Sequence, residues 1–212
     1  MNVKSFRLLA FAAAAAAIVS CGQKQEKTVL FNGENLDGLV AVTDPSDTTG
    51  NVVFSVEDGV LCISGNPFGY LRTEKAYSDY DAHLEFRWVG ETGTNSGFFQ
   101  RVQDGDKVWP VGVECQMCAG SVGEFVGLSG AFVDGAEQKG EFSFKTRISE
   151  QDSELPVGEW NSLDVEVRGT HIKYTVNGVL QNECETDLTS GYVAVQSEGG
   201  PLQVRNLYLI EK

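Results

Sequence analysis

The sequence predicts an all-β fold, a sandwich or barrel of antiparallel strands. Three observations carry this expectation. From residue 29 onward, apolar residues recur at period two in short runs, and no long run has the helical period. Asp58-Gly59 and Asn177-Gly178 each stand between apolar runs, a strong short-range hairpin signal. No crossover helix separates the strands, so neighbours should pair antiparallel.

Taken in order, the chain begins outside that pattern. Lys4 and Arg7 precede an apolar run from Leu8 to Val19, which is too short for a spanning helix of about 20 residues and reads as an export signal over residues 1–20. The run ends Ser20-Cys21-Gly22, like a bacterial lipobox cut before Cys21, whose thiol would carry lipid. Residues 21–28 are polar and short, a tether to one domain over 29–212. Asp44–Asn51 is polar and reads as a loop. Strands are expected at Val52–Val56 and Val60–Ile63, flanking Glu57-Asp58-Gly59, then at Ala82–Val89, Gly97–Val102 and Val111–Met117. Ala119–Glu141, rich in Gly, is a long excursion with one expected strand near Gly130–Val133. Ser162–Val167, the Lys173–Val176 and Val179-Leu180 hairpin, Tyr192–Gln196 and Gln203–Ile210 complete the set.

Composition narrows function. The 212 residues carry 16 Lys+Arg against 30 Asp+Glu, a net charge of -14, which argues against nucleic acid and against electrostatic binding to anionic lipid. Membrane contact is expected only through lipid on Cys21. With two histidines, His83 and His171, a multi-histidine site cannot be built. There is no G-x-S-x-G, no phosphate loop, no H-E-x-x-H, and no E-x-D-x-x-E of the laminarinase type. Cys62, Cys115, Cys118 and Cys184 allow three pairings, and free buried thiols are the simpler reading. Cys115 and Cys118 have C-x-x-C spacing, but on a strand they point to opposite faces, which disfavours a shared metal.

Polar residues fall on one face of several strands. Glu85 lies opposite Leu84, Phe86 and Trp88; Glu114 and Gln116 lie opposite Val113, Cys115 and Met117; Gln196 and Glu198 lie opposite Val193 and Val195. Arg101 ends another strand and would add a cation. In one concave sheet these groups would converge on sugar hydroxyls, and carboxylates can also transfer protons. From periodicity alone, a solvated acidic face is the simpler account.

An ordered series of motifs adds to this. Leu30-Phe31-Asn32-Gly33, Gly69-Tyr70-Leu71-Arg72-Thr73, Leu84-Glu85-Phe86-Arg87-Trp88, Asn95-Ser96-Gly97-Phe98-Phe99-Gln100-Arg101, Val113-Glu114-Cys115-Gln116, Gly158-Glu159-Trp160-Asn161, Gln196-Ser197-Glu198-Gly199 and Arg205-Asn206-Leu207 together resemble the 3-keto-disaccharide hydrolase domain family. The match runs from about Val29 to the end. Many relatives carry His where this chain has Glu198. The resemblance implies a concanavalin-like jelly roll with a sugar site on its concave face. It also implies a lipid-anchored protein of a Gram-negative envelope, in the periplasm or at the outer membrane, and action on oxidised sugars.

A ketone at C3 acidifies the C2 hydrogen, so a carboxylate can start a β-elimination at C1, and water can then add to the enone, giving net hydrolysis. In this reading Glu114 or Glu198 is the base and the other the acid, with Arg101 or a divalent cation on the enolate. Glu85, Asn95, Gln116, Gln196 and Trp109 would bind the sugar. A metal held by Glu85 or Glu114 with Gln116 would have oxygen ligands, hence be Ca2+ or Mg2+ in kind. The rival is a non-catalytic carbohydrate-binding lipoprotein of a glycan-utilisation system, recognisable by an aromatic platform drawn from Trp109, Trp160 and Tyr70.

Overall fold

The computed structural model describes residues 26–212, so the expected signal segment and Cys21 lie outside the described residues. Those residues form strands and turns without a helix. In chain order the strands are β1 (Thr28–Val29), β2 (Leu39–Thr43), β3 (Phe54–Glu57), β4 (Val60–Ile63), β5 (Gly69–Thr73), β6 (Tyr80–Trp88), β7 (Gly97–Val102) and β8 (Gly112–Gln116). The second half contributes β9 (Phe125–Leu128), β10 (Glu137–Lys139), β11 (Phe142–Lys145), β12 (Asn161–Arg168), β13 (His171–Val176), β14 (Val179–Glu185), β15 (Tyr192–Ser197) and β16 (Leu202–Glu211).

All pairings between them are antiparallel. One sheet has the order β14-β13-β12-β6-β16-β4-β3, with β1 also pairing β16; the other has the order β10-β11-β9-β8-β7-β15-β5-β2. The fold is a jelly-roll sandwich. Both hairpins form where the dipeptides put them. Asp58 and Gly59 sit at φ 50° and 81°, Asn177 and Gly178 at 49° and 79°, the left-handed pair that a two-residue hairpin turn needs.

Burial separates the sheets. In β6, buried and half-exposed residues alternate strictly: Leu84, Phe86 and Trp88 enter the core, while His83, Glu85 and Arg87 face out. Such alternation marks a sheet with one wet face. In β7 and β9 every residue is buried. Phe98, Val113, Cys115 and Val195 face the shared core. Phe99, Tyr70, Val126 and Leu128 form a second apolar cluster on the other side of the same sheet. An outer face buried without a covering sheet is a hollow one, and this hollow holds the candidate site.

One expected strand is absent. Gly130–Val133 is turn and irregular chain, and β9 lies just before it. Ser129 and Gly130 take φ 49° and 87°, turning the segment back so that the Ala131 carbonyl lies over Gly127, where a Cβ would meet it at 2.5 Å. The excursion therefore closes on β9 and supplies β10, and β11, which follows it directly, pairs with both β9 and β10.

Candidate functional site

The hollow is lined by Asn95, Trp109, Glu114, Gln116, Glu198 and the apolar side chains of Val126, Leu128, Phe142 and Phe144, enclosing about 320 Å³. Pairing register explains the assembly. Gln196 lies opposite Tyr70, and Gly97 opposite Gln116, while Glu114 sits between Phe99 and Val126 one step along. Gly97 leaves the space the Glu114 carboxyl fills: a Cβ there would lie 2.1 Å from Oε1. The Asn95 segment is held to the strand ends by bonds from Met117 N–H to Ser96 O (2.9 Å) and from Ser96 Oγ to Gln196 O (2.8 Å).

Polar groups here are arranged unequally. Glu114 is 3% exposed, and its Oε1 has no hydrogen-bond partner. Burial, and then the neighbouring Glu198 charge, hold its carboxyl well above the usual carboxylate range. Burial also raises Glu198, but hydrogen bonds from the Asn95 and Gln196 side chains favour its charged form and partly offset that rise. The Gln196 Nε2 donates to Glu198 Oε2 at 2.8 Å. Asn95 Oδ1 and Gln196 Oε1 are buried acceptors without donors. Buried oxygens in this state are uncommon and call for a ligand that brings donors. Gln116 Oε1 accepts from the N–H groups of Met117 and Cys118, both at 3.1 Å, which fixes the side chain. Beneath them, Tyr70 packs on Phe99, and burial pushes its hydroxyl up to about 12.

Of the residues singled out from sequence, Glu114, Glu198, Asn95, Gln116 and Trp109 line this hollow, with Gln196 bonded to Glu198. Two expectations are corrected. Glu85 belongs to β6 in the opposite sheet, where Arg205 Nε (2.5 Å) and Asn206 Nδ2 (2.8 Å) bind its carboxylate on the outer face. Arg101 faces away from the hollow because its backbone is left-handed, φ 60°, which breaks the strand alternation. Its buried guanidinium donates to the carbonyls of Tyr77, Thr189 and Gly169. Glu85 therefore cannot share a ligand set with Gln116, and in the Glu114 alternative the Gln116 oxygen is already taken by the two N–H groups. Among the described residues no group of three or more His, Cys, Asp and Glu could hold a metal ion.

Other candidates fall elsewhere. Trp160 lies on the Glu85 face between the guanidinium groups of Arg205 (4.0 Å) and Arg87 (4.5 Å), and His83 pairs with Asp164 at 2.7 Å. The four described cysteines are free. Sequence reading missed Phe142 and Phe144, whose strand directly follows the excursion, and the role of Gly97, named only as a strand start and within a motif.

Comparison with known proteins follows this geometry. The model of the 3-keto-alpha-glucoside-1,2-lyase-like domain matches residues 26–210. A "putative glycosyl hydrolase" of Parabacteroides distasonis is similar at 20% identity and TM-score 0.65, covering 88% of this chain and 94% of that one. Carbohydrate-binding module CBM66 of Bacillus subtilis is similar at 13% identity and TM-score 0.59, covering 80% and 93%. The β-glucanase of Bacillus licheniformis is similar at 14% identity and TM-score 0.56, covering 90% and 100%. At these identities the likenesses show the fold. No curated protein sequence matches the chain.

Proposed function

The chain belongs to the family of 3-keto-alpha-glucoside-1,2-lyase-like domains, and from that premise we propose that it cleaves 3-keto-glycosides by β-elimination. The observation that carries this reading is the unequal carboxyl pair: Glu114 enclosed, with an unpartnered Oε1 and a pKa pushed well above the usual carboxylate range by burial, and Glu198 half-buried, raised by burial with two amide hydrogen bonds opposing that rise. Neighbouring carboxyl groups whose environments push them apart divide into an acid and a base. Glu198 takes the C2 proton, and the electron pair of that C–H bond moves onto the C3 oxygen as an enolate. Collapse of the enolate forms the C1=C2 bond and breaks the bond from C1 to the aglycone oxygen. Glu114 gives its proton to that oxygen. The products are a free alcohol and an enone, and proton transfer from Glu198 to Glu114 resets the pair. Among the described residues no Lys, Arg or His lines the hollow, so the enolate is met by neutral donors such as the Gln116 amide. Addition of water to the enone would complete net hydrolysis.

Buried acceptors without donors suit sugar hydroxyls, and Trp109 beside them suits a sugar ring face. Assay of Glu114→Gln and Glu198→Gln on a 3-keto-α-glucoside, read as enone absorbance and aglycone release, tests the assignment. Loss of turnover in both is expected, and wild-type rates in both would remove the pair from the chemistry. Binding of the sugar by the wild type without any turnover would instead make the protein a carbohydrate-binding module. Anchoring to the cell envelope through Cys21 is part of the proposal, and fatty-acid labelling that survives Cys21→Ala would refute it.

A further inference from the structure

The segment that carries Asn95 is held from behind. Ala119 N–H donates to the Thr94 carbonyl at 3.0 Å, beside the bond from Met117 N–H to Ser96 O. A Cβ on Gly93 would lie 2.4 Å from the Ala119 Cβ, and one on Gly199 would lie 3.2 Å from the Asn95 Cβ. The segment is thus wedged between the turn at 117–122 and the chain just past Glu198, so the place of that turn decides how the Asn95 amide meets Glu198. One carboxylate fixes the turn. Glu154 Oε2 accepts from Gly120 N–H at 2.7 Å, and Oε1 accepts from Val122 N–H at 3.0 Å. Arg147 completes a clamp: Nη1 lies 3.4 Å from Glu154 Oε1, and Nη2 donates to the Gly120 carbonyl at 3.2 Å. Charge-assisted bonds of this kind are roughly twice as strong as neutral ones, and water competes little, with the side chains 10% exposed for Glu154 and 19% for Arg147. Glu154 is itself tied to the opposite sheet. Leu155 N–H donates to Asn161 Oδ1 on β12 (2.8 Å), and Gln181 Nε2 on β14 donates to Ser153 Oγ (2.9 Å). Neither Glu154 nor Arg147 lines the hollow.

Resting on the elimination reading above, we infer that Glu154, with Arg147, is a positioning residue for the base: through the turn at 117–122 and Thr94 it holds the Asn95 amide against the Glu198 carboxylate. A stiff tie between the two sheets suits that task, since a displacement of about 1 Å near the reacting atoms is costly in rate. An action of Glu154 through charge alone would have the opposite sign. The Asn95 hydrogen bond favours ionised Glu198. Loosening that bond moves the Glu198 titration to higher pH, whereas taking away a nearby negative charge moves it to lower pH. The other charged and titratable groups around the clamp are Asp152, 3.6 Å from Arg147, and Glu124 and Cys118, which feel the Glu154 charge; around Glu198 they are Glu114 and Cys118. All of these stay in place when Glu154 alone is changed.

Carboxyl-13C glutamate NMR, together with pH profiles of kcat/KM on a 3-keto-α-glucoside, tests this in Glu154→Ala and Glu154→Gln, with Glu198→Gln assigning the resonance. In Glu154→Ala the Glu198 titration and the acid limb of the profile are expected to move together to higher pH, and kcat/KM at neutral pH to fall roughly tenfold. Glu154→Gln loses the same charge but keeps one acceptor oxygen. It is expected to move less in the same direction, and it carries the test if the alanine variant does not fold. A Glu198 titration that stays in place or moves to lower pH would overturn the positioning role and leave the elimination standing. A rise in that titration, in a protein whose wild type does not turn over the glucoside, would support the clamp and overturn the elimination.

Discussion

Gly97→Ala is the sharpest test of how the site is built. Gly97 has an ordinary extended backbone, so the substitution brings no turn strain, only a methyl group. That methyl would lie 2.1 Å from Glu114 Oε1, 2.7 Å from Cδ and 2.9 Å from Cγ. To reach ordinary contact, the carboxyl must retreat by roughly 1 Å or more, and a misplacement of that size costs about 100-fold in rate. On that basis kcat/KM for a 3-keto-α-glucoside falls about 100-fold, equal to about 2.7 kcal/mol. Overpacking a buried site costs a further 1–3 kcal/mol of stability, roughly, because Glu114 is 3% exposed and has little room to turn. Urea unfolding of the two single variants and of Gly97→Ala/Glu114→Ala measures the coupling: with the carboxyl gone, the methyl should cost almost nothing. Wild-type turnover and stability in Gly97→Ala, or an undiminished cost of the methyl in the Glu114→Ala background, would refute the argument that Gly97 exists to seat this carboxyl.

Three further outcomes follow. Because the base must be ionised and the acid protonated, kcat/KM should trace a bell in pH whose limbs both lie above the ordinary Glu value of 4.5, as properties of the coupled pair; an acid limb at or below that value would exclude Glu198 as the base. The raised Glu114 pKa means the folded chain binds this proton more tightly than the unfolded chain. Stability from this group is therefore full below about pH 4.5 and is lost as pH rises toward the raised value, so Glu114→Gln should be more stable than wild type at pH 8 and show little gain at pH 4. Denaturation at the two pH values checks the sign. Arg101→Ala should cost roughly 3 kcal/mol or more by orphaning the carbonyls of Tyr77, Thr189 and Gly169, while kcat per folded molecule holds; a specific loss of kcat would return Arg101 to the chemistry.

Periodicity revealed the sheets because each strand has to choose a face. The alternation in β6 and the two left-handed hairpin dipeptides are local properties, and they survive unchanged in the fold. Face assignment was legible too: Glu114 with Gln116, and Gln196 toward Glu198, all turn away from the core. What periodicity does not carry is which sheet a strand joins. Glu85 has the same pattern as Glu114, yet β6 pairs with β12 and β16 while β8 pairs with β7 and β9. Arg101 fails for another reason: one left-handed residue rotates the side chain off the face that its position predicts. β10 was hidden because Glu137–Lys139 is a short polar edge strand with no apolar alternation; β11, Phe142–Lys145, does alternate but is only four residues long, and the aromatic lining from Phe142 and Phe144 was passed over with it.

β16, the last strand, runs between β6 and β4 and also pairs with β1. The segment that completes this sheet is thus made after every strand it joins. A nascent chain that has not reached Leu202 lacks it, and β6 then has an unfilled edge and β4 no neighbour on that side. Closure has to wait for β16, and deleting Leu202–Glu211 should leave the chain unable to fold rather than merely weakened.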